Sequence, residues 1–181
     1  IPRKASAVIK TQDIEQLTTS LANQAFLKKF KDTPFADFFQ TQKTLFSNVK
    51  SDGEALICYT KIGNDSYDYS VIMSSQRTTF QVDSTQYNIK QLSGTTPPIT
   101  SIQSQDNTVF SLEINGVLIV SSSQLLLENT LREQDNENIS IDDSFLKIYQ
   151  AASNQVDASV LLKGSEAPML WNDLFPKSTN N

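Results

Sequence analysis

The sequence predicts an α+β protein in which an antiparallel β-meander sheet of six or more strands carries helices packed on one face. Three observations lead to this prediction. Apolar residues recur at helical spacing up to about residue 49. After Asp52-Gly53 they alternate with polar residues in short runs, as in half-buried strands, and the helical spacing returns after residue 121. An internal repeat relates the two helical parts, so the helices are expected to come from two β-α-α-β units.

These patterns fit one domain over residues 1–176 and a short linker or tail at 177–181. Within the domain we expect a first repeat unit at 5–62, a meander at 66–115, a second repeat unit at 116–164 and a terminal helix at 165–175.

The first unit opens with an apolar strand at residues 7–9, followed by two helices. Asp13 with Gln16 three positions later has the spacing of a capping box, which satisfies the free backbone N–H groups of a helix start. Asp32 followed by Pro34 marks the second helix, since proline suits the first turn. A phenylalanine stripe then predicts a core helix. The expected core residues are Phe35, Phe38, Phe39, Phe46, Leu118 and Val120.

Six short runs have the spacing of consecutive antiparallel strands: the last strand of the first unit and then the five runs of the meander. The runs are 54–62, 66–75, 78–84, 86–92, 99–105 and 108–114. In the second run Tyr67, Tyr69 and Val71 alternate with Asp68 and Ser70, which predicts one buried and one mostly wet face. Asn115-Gly116 predicts a type I′ hairpin turn, because this turn needs positive φ at both positions.

The second unit repeats the order of the first. Leu125, Leu127 and Leu131 predict a helix, Asp142-Asp143 caps another, and residues 157–164 form a strand. Residues 7–21 lie over residues 117–131 at a constant offset of 110, and after a short gap residues 54–61 align with 157–164. At the same offset Asp32 meets Asp142, Phe35 meets Phe145 and Phe39 meets Tyr149.

The composition excludes several function classes. The net charge is −5 and no basic run is longer than Lys28-Lys29, so the positively charged surface that phosphate binding requires is missing and nucleic acid is not an expected partner. Purely apolar runs such as 117–120 fall far short of the roughly 20 residues that span a bilayer. There is no histidine, one cysteine and no glycine-rich nucleotide loop, and we expect no cofactor. Cys58 is predicted to be a buried residue of a strand.

The segments SAVIKTQDIEQL, LIVSSSQLLLENTL, DDSFLKIYQAA and ASVLLKG resemble an uncharacterised family of exported bacterial envelope domains with duplicated strand–helix–helix–strand units. The resemblance covers about half of the chain, and many members of the family are lipoproteins. It implies export to the periplasm or cell surface, with a lipid anchor in a segment outside this sequence. It implies no catalytic residues.

Three clusters have both a chemical and a structural interpretation. Ser121, Ser122 and Ser123 sit at a strand–helix junction, but they lack the G-x-S-x-G elbow and a histidine, so a strand end and helix cap are favoured over a nucleophile. The carboxylate pairs Asp65/Asp68 and Asp142/Asp143 could serve a glycan hydrolase, although turn and helix-cap roles explain them. Residues 133–143 are rich in oxygen ligands without the order of a calcium loop.

Four aromatic residues are the candidate partner-binding residues, since aromatic rings give stacking surfaces for sugars or peptides. They are Tyr67, Tyr69, Tyr87 and Trp171. The favoured function is a non-catalytic module that binds or scaffolds a protein or glycan in the cell envelope, within a longer polypeptide. The alternatives are a carboxylate-dependent glycan hydrolase and an assembly or inhibitor domain that uses a sheet edge.

Overall fold

The computed structural model describes residues 5–23, 49–62, 66–105, 107–134, 143–152, 156, 158–162 and 164. The second helix of the first unit, with its phenylalanine stripe, lies outside the described residues, as do the terminal helix at 165–175 and the tail at 177–181. The helices are α1 (Ile14–Asn23), α2 (Gln124–Gln134) and α3 (Asp143–Ala151). The strands are β1 (Ala5–Thr11), β2 (Val49–Ser51), β3 (Ala55–Ile62), β4 (Ser66–Ser74), β5 (Thr78–Phe80), β6 (Asn88–Gln91), β7 (Thr100–Gln103), β8 (Thr108–Ile114), β9 (Val117–Ser121) and β10 (Ala158–Leu162).

Eight of these strands form one antiparallel sheet in the order β10-β1-β3-β4-β9-β8-β7-β6. This confirms an antiparallel sheet of more than six strands. The local signals are also confirmed. Asp13 Oδ1 accepts a hydrogen bond from the Gln16 N–H at 2.8 Å at the start of α1. Asn115 and Gly116 have φ values of 50° and 76°, as the turn between β8 and β9 requires.

The continuous meander over 66–115 is wrong. After β4, which pairs with β9, only β6 to β9 are neighbours in chain order, and β5 leaves the sheet to pair with β2. A 3₁₀ turn at Ser75–Arg77 redirects the chain at this point. Backbone hydrogen bonds hold that turn from both sides, from Ser75 N–H to the Gly116 carbonyl and from Asp52 N–H to the Arg77 carbonyl, each at 2.9 Å.

Helices cover both faces of the sheet, so the prediction of helices on one face is wrong. Ile9, Ile57, Val71 and Val120 lie directly opposite one another on neighbouring strands, and therefore share what we call the first face. On this face α1 packs through Ile14 and Leu17. Buried Val120 confirms one predicted core residue, and partly buried Leu118 packs against the same cluster.

The second face is the opposite one, and its residues alternate with those of the first along each strand. Here α2 packs through Leu127 against Leu112 and Ile119, and α3 packs through Phe145 and Tyr149. Ser70 lies on this face and is buried, so the prediction that β4 has a mostly wet face is also wrong. The face is not wet because Val8, Leu56 and Cys58 form an apolar cluster on it, and α3 packs over part of this cluster.

The prediction of helices on one face is wrong because β1 and β9 run in opposite directions and turn their equivalent side chains to opposite faces of the sheet. Residues equivalent at the offset of 110, such as Ile9 and Ile119, point to opposite faces, since Ile9 shares its face with Val120. The helix after β1 therefore packs on the first face, and the helix after β9 packs on the second. No helix in the described ranges is long and apolar enough to cross a membrane.

Candidate functional site

The serine run after β9 is part of the backbone scaffold. Ser121 Oγ donates a hydrogen bond to the Tyr69 carbonyl at 2.7 Å, and the Ser122 N–H donates to the same carbonyl at 3.2 Å. Ser122 Oγ accepts from the Tyr69 N–H at 3.2 Å and donates to Asp68 Oδ1 at 3.3 Å. The pairing of β4 with β9 is thereby extended beyond the last strand residue. This confirms the strand end, and both hydroxyls bond to β4.

Replacing the buried hydroxyl gives a direct measure of this role. We expect Ser121→Ala to lower the free energy of unfolding by about 1–2 kcal/mol, because the Ser123 N–H also loses its acceptor, Ser121 Oγ. Urea denaturation followed by circular dichroism checks the value. Ser84→Ala, at an exposed turn position, is the control and should stay within about 0.5 kcal/mol. Equal effects of the two changes would contradict the assignment.

A cluster of Lys10, Glu54 and Tyr149 lies at the junction of β1, β3 and α3. Lys10 Nζ is 3.3 Å from Glu54 Oε2 and 4.5 Å from the centre of the Tyr149 ring. The Tyr149 hydroxyl donates a hydrogen bond to Glu54 Oε1. The side chain of Lys10 is 7% exposed and that of Glu54 is 34% exposed. The Tyr149 ring also stacks on Phe145, with ring centres 6.2 Å apart.

The electrostatics of this cluster favour a structural role. Burial, and then the hydrogen bond to Glu54, raise the pKa of Tyr149 well above its ordinary value. The phenol therefore remains protonated and donates to the carboxylate, while the ammonium ion is held between a carboxylate and an aromatic face. Such an arrangement ties α3 to the sheet through charge and ring contacts.

The sequence interpretation missed this cluster, although a signal was present. At the offset of 110, Lys10 stands where the second unit has Val120, and Tyr149 stands where the first unit has Phe39. Both positions are polar departures from an apolar position in the other copy. A charged residue inside a buried strand needs a partner, and that need was the available clue.

Breaking the ion pair should cost more than removing the phenol. We expect Glu54→Gln to lower the free energy of unfolding by about 2 kcal/mol, because buried Lys10 then loses its counter-charge. The value is below that of a fully buried pair, since Glu54 is one-third exposed. Tyr149→Phe, which keeps the ring, should cost about 1 kcal/mol. Thermal and urea denaturation check the order, and a larger loss for Tyr149→Phe would contradict it.

Of the predicted aromatic platform, one residue is interior and two are partly buried. Tyr69 is 5% exposed and lies opposite buried Tyr59 on the first face. Tyr67 and Tyr87 are partly buried and pack against the same core cluster, and Trp171 lies outside the described residues. Burial is the main cause that raises the pKa of both Tyr59 and Tyr69. In this conformation Tyr69 has no surface to offer a partner, and Tyr67 and Tyr87 offer only part of a ring.

Each predicted carboxylate pair has one member outside the described residues. Asp68 accepts a hydrogen bond from Ser122, while Asp65 and Asp142 lie outside the described residues. Most of the oxygen-rich segment at 133–143 lies outside them too. Among the residues that are described, no three His, Cys, Asp or Glu side chains cluster as metal ligands. A polar surface depression of about 300 Å³ borders Thr95, Thr96 and Glu128, next to Arg132.

The strand β6 forms one edge of the sheet and is the most exposed strand described. All four of its residues are exposed, including Ile89 at 43%. The Leu92 N–H donates to the Ile99 carbonyl at 2.8 Å, which fixes the hydrogen-bonding phase of the ladder with β7. Bonded and non-bonded pairs alternate in an antiparallel ladder, so Lys90 bonds to β7. The backbone groups of Ile89 and Gln91 therefore point away from the sheet, and we call them the open edge.

Comparison with known proteins adds no relative: no family model matches the chain, and neither a curated protein nor a solved structure does.

Proposed function

We propose that this chain is a non-catalytic module of an exported bacterial cell-envelope protein, where it binds or scaffolds a protein or glycan partner. The observation that carries the proposal is the open edge of β6, where an exposed strand presents backbone donors and acceptors to solvent. Exposed sheet edges bind extended segments of other proteins by strand addition. The hydroxyls of Ser121 and Ser122, and the charges of Lys10 and Glu54, are by contrast engaged in holding the fold.

The location in the periplasm or at the cell surface rests on the sequence resemblance. An uncharged polar composition, in which Ser, Thr, Asn and Gln make up about a third of the chain, is in keeping with an exported β-rich protein. Cell fractionation of the natural gene product tests the location. Recovery with the envelope or periplasm supports export, and recovery with the cytoplasm contradicts it. Release by detergent alone supports a lipid anchor.

We also propose that the chain contains two related β-α-α-β units, at residues 5–62 and 116–164. At the offset of 110, β1 and α1 superimpose in sequence on β9 and α2, and both helices begin at equivalent residues, Ile14 and Gln124. A local hydrogen bond also recurs. The Asp13 N–H donates to Thr11 Oγ1 at 3.2 Å, and the Ser123 N–H donates to Ser121 Oγ at 3.1 Å.

The two units differ in how their last strands are placed. In the first unit β1 pairs with β3, whereas in the second unit β10 pairs with β1 and not with β9. The duplication is therefore supported at the strand–helix junctions. The arrangement around them is not repeated.

Binding to envelope components tests the function itself. The chain is immobilised and exposed to detergent extracts of the envelope and to purified envelope glycans, and retained molecules are identified and re-tested as pure components. We expect saturable binding of at least one pure component. Product release from the glycans, lost in an Asp68→Asn variant, would contradict a non-catalytic role and support the hydrolase alternative.

A further inference from the structure

We propose that the open edge of β6 binds an extended segment of a partner protein as an added antiparallel strand, with an acidic residue of that segment opposite Lys90. This inference rests on the proposed binding function and names its surface and its partner class. The occupant is a polypeptide strand of apolar and acidic character. A second copy of this chain is an outcome of the test.

The hydrogen-bonding phase defines which groups the partner meets. Ile89 and Gln91 each present one N–H and one C=O outward, which gives four backbone hydrogen bonds to an added strand. All neighbouring strands in the eight-stranded sheet are antiparallel, and an added strand continues this order with the least change of geometry.

The side chains next to these groups set the chemistry of the partner. Ile89 lies opposite buried Ile102, so it stands on the first face, at the margin of the core cluster that contains Ile102. An apolar partner side chain opposite Ile89 extends this cluster and covers a side chain that is 43% exposed. This position therefore selects a β-branched or aromatic residue.

Lys90 occupies the position between the two outward-facing residues. The partner residue opposite it forms a non-hydrogen-bonded pair, in which the Cα atoms are only about 4.5 Å apart and the side chains are closest. Opposite charges in such a pair are stabilising and like charges are destabilising. Because Lys90 is exposed and cationic on an acidic chain of net charge −5, a carboxylate is the complementary partner group.

The same lysine disfavours a second copy of this chain as the occupant. The self-pairing register that joins both outward residues places Ile89 opposite the Gln91 of the other copy, and vice versa. In that register the two Lys90 side chains lie directly opposite each other. Lysine on an edge strand is a common device against such self-association.

Two synthetic peptides serve as the probes. One has the sequence acetyl-Ser-Thr-Val-Glu-Val-Thr-Ser-amide, and the other carries Lys in place of Glu. Amide hydrogen exchange measured by NMR reports the contact residue by residue. We expect the acidic peptide to slow exchange at Ile89 and Gln91, whose amides face solvent, and to leave Lys90, already bonded to β7, nearly unchanged. Protection elsewhere, without protection at these two amides, overturns the proposal.

Backbone variants at Ile89 test strand addition, and charge variants at Lys90 test the preference for an acidic residue. Ile89→Pro removes an outward N–H and spares the β7 ladder, so the variant is expected to fold and to lose peptide binding. Ile89→Val keeps the N–H and should bind normally. Lys90→Glu should weaken the acidic peptide about tenfold and favour the basic one. Lys147→Glu, the same charge change on exposed α3, is the matched control. Equal effects at Lys90 and Lys147 overturn the charge assignment.

Two further outcomes separate this inference from the proposed function. If Ile89→Pro still captures the same envelope component as the parent chain, the function stands and the edge assignment is wrong. If sedimentation shows a dimer that Ile89→Pro abolishes, the occupant is a second copy and the partner class is wrong. A folded Ile89→Pro variant, established by its circular dichroism and thermal midpoint, is required in each case.

Discussion

The free energy of unfolding should fall as the pH rises above about 9. Burial raises the pKa of the Cys58 thiol from 9.0 to about 12. It is also the main cause that raises the pKa of Tyr59, Tyr69 and Tyr149 above the ordinary value of 10.0. In each case the protonated form is favoured by the folded state. The stabilisation is therefore complete below the unfolded pKa and is lost as the pH rises toward the folded pKa.

The size of this effect follows from proton linkage. Each of the buried groups Cys58, Tyr59 and Tyr69 contributes about 1.4 kcal/mol per pH unit between its unfolded and folded pKa, and the partly exposed Tyr149 contributes less. For Cys58, an interval from 9.0 to about 12 amounts to a loss of up to about 4 kcal/mol. The tyrosines add to the slope above pH 10, since their unfolded pKa lies there. Together these losses are comparable to the stability of a typical domain.

Urea denaturation between pH 8 and about pH 11 measures this dependence. Cys58→Ala removes the earliest titrating group, so the onset of the loss should move from about pH 9 to about pH 10. Tyrosine absorbance recorded in the same samples should show that phenolate appears together with unfolding. A free energy of unfolding that stays flat up to about pH 11 would contradict the assignment of these groups to the interior.

Truncation of Leu127 should destabilise the protein by about 3 kcal/mol, because α2 anchors the second face through this fully buried side chain. The loss combines the missing transfer free energy with the cavity left between α2 and the sheet. Leu125 lies in the same helix and is 47% exposed. Leu125→Ala is therefore a matched control, and its cost should stay below about 1 kcal/mol.

Chemical denaturation of both leucine variants checks this difference. Hydrogen exchange adds a local readout, since α2 amides should lose more protection in Leu127→Ala than α1 amides, which cover the other face. Similar costs for the two variants would contradict the packing of α2 on the second face.

The local structure of this protein was largely accessible from its sequence. Asp13 and Asn115-Gly116 act through their immediate neighbours, so their roles as cap and turn could be read directly. Strand positions followed from alternation in the same way. Strand partners did not, because alternation identifies a buried side and carries no information about which strand lies alongside. The pairing of β10 with β1 and the two-sided placement of helices are consequences of that choice.

The surface that we propose for binding could not be predicted from sequence patterns either. The residues 86–92 predicted a strand, but the exposure of β6 at a sheet edge depends on the order of all eight strands. The outward direction of the Ile89 and Gln91 backbone groups depends on the phase set by Leu92 and Ile99. The burial of Tyr69 was inaccessible for a related reason, since it depends on the place of β4 as a central strand that is covered on both faces.

The pairing of β10 with β1 has a consequence for how the chain folds as it is synthesised. β1 is synthesised before the other strands described here, and it receives one of its two neighbours only when residues 158–162 have been made. At about 5–20 residues per second, one side of β1 waits roughly 7–30 seconds for its partner. Contacts so distant along the chain raise the contact order and slow folding. A nascent chain stopped before β10 therefore exposes a buried-type strand, which makes it a natural client for a holding chaperone.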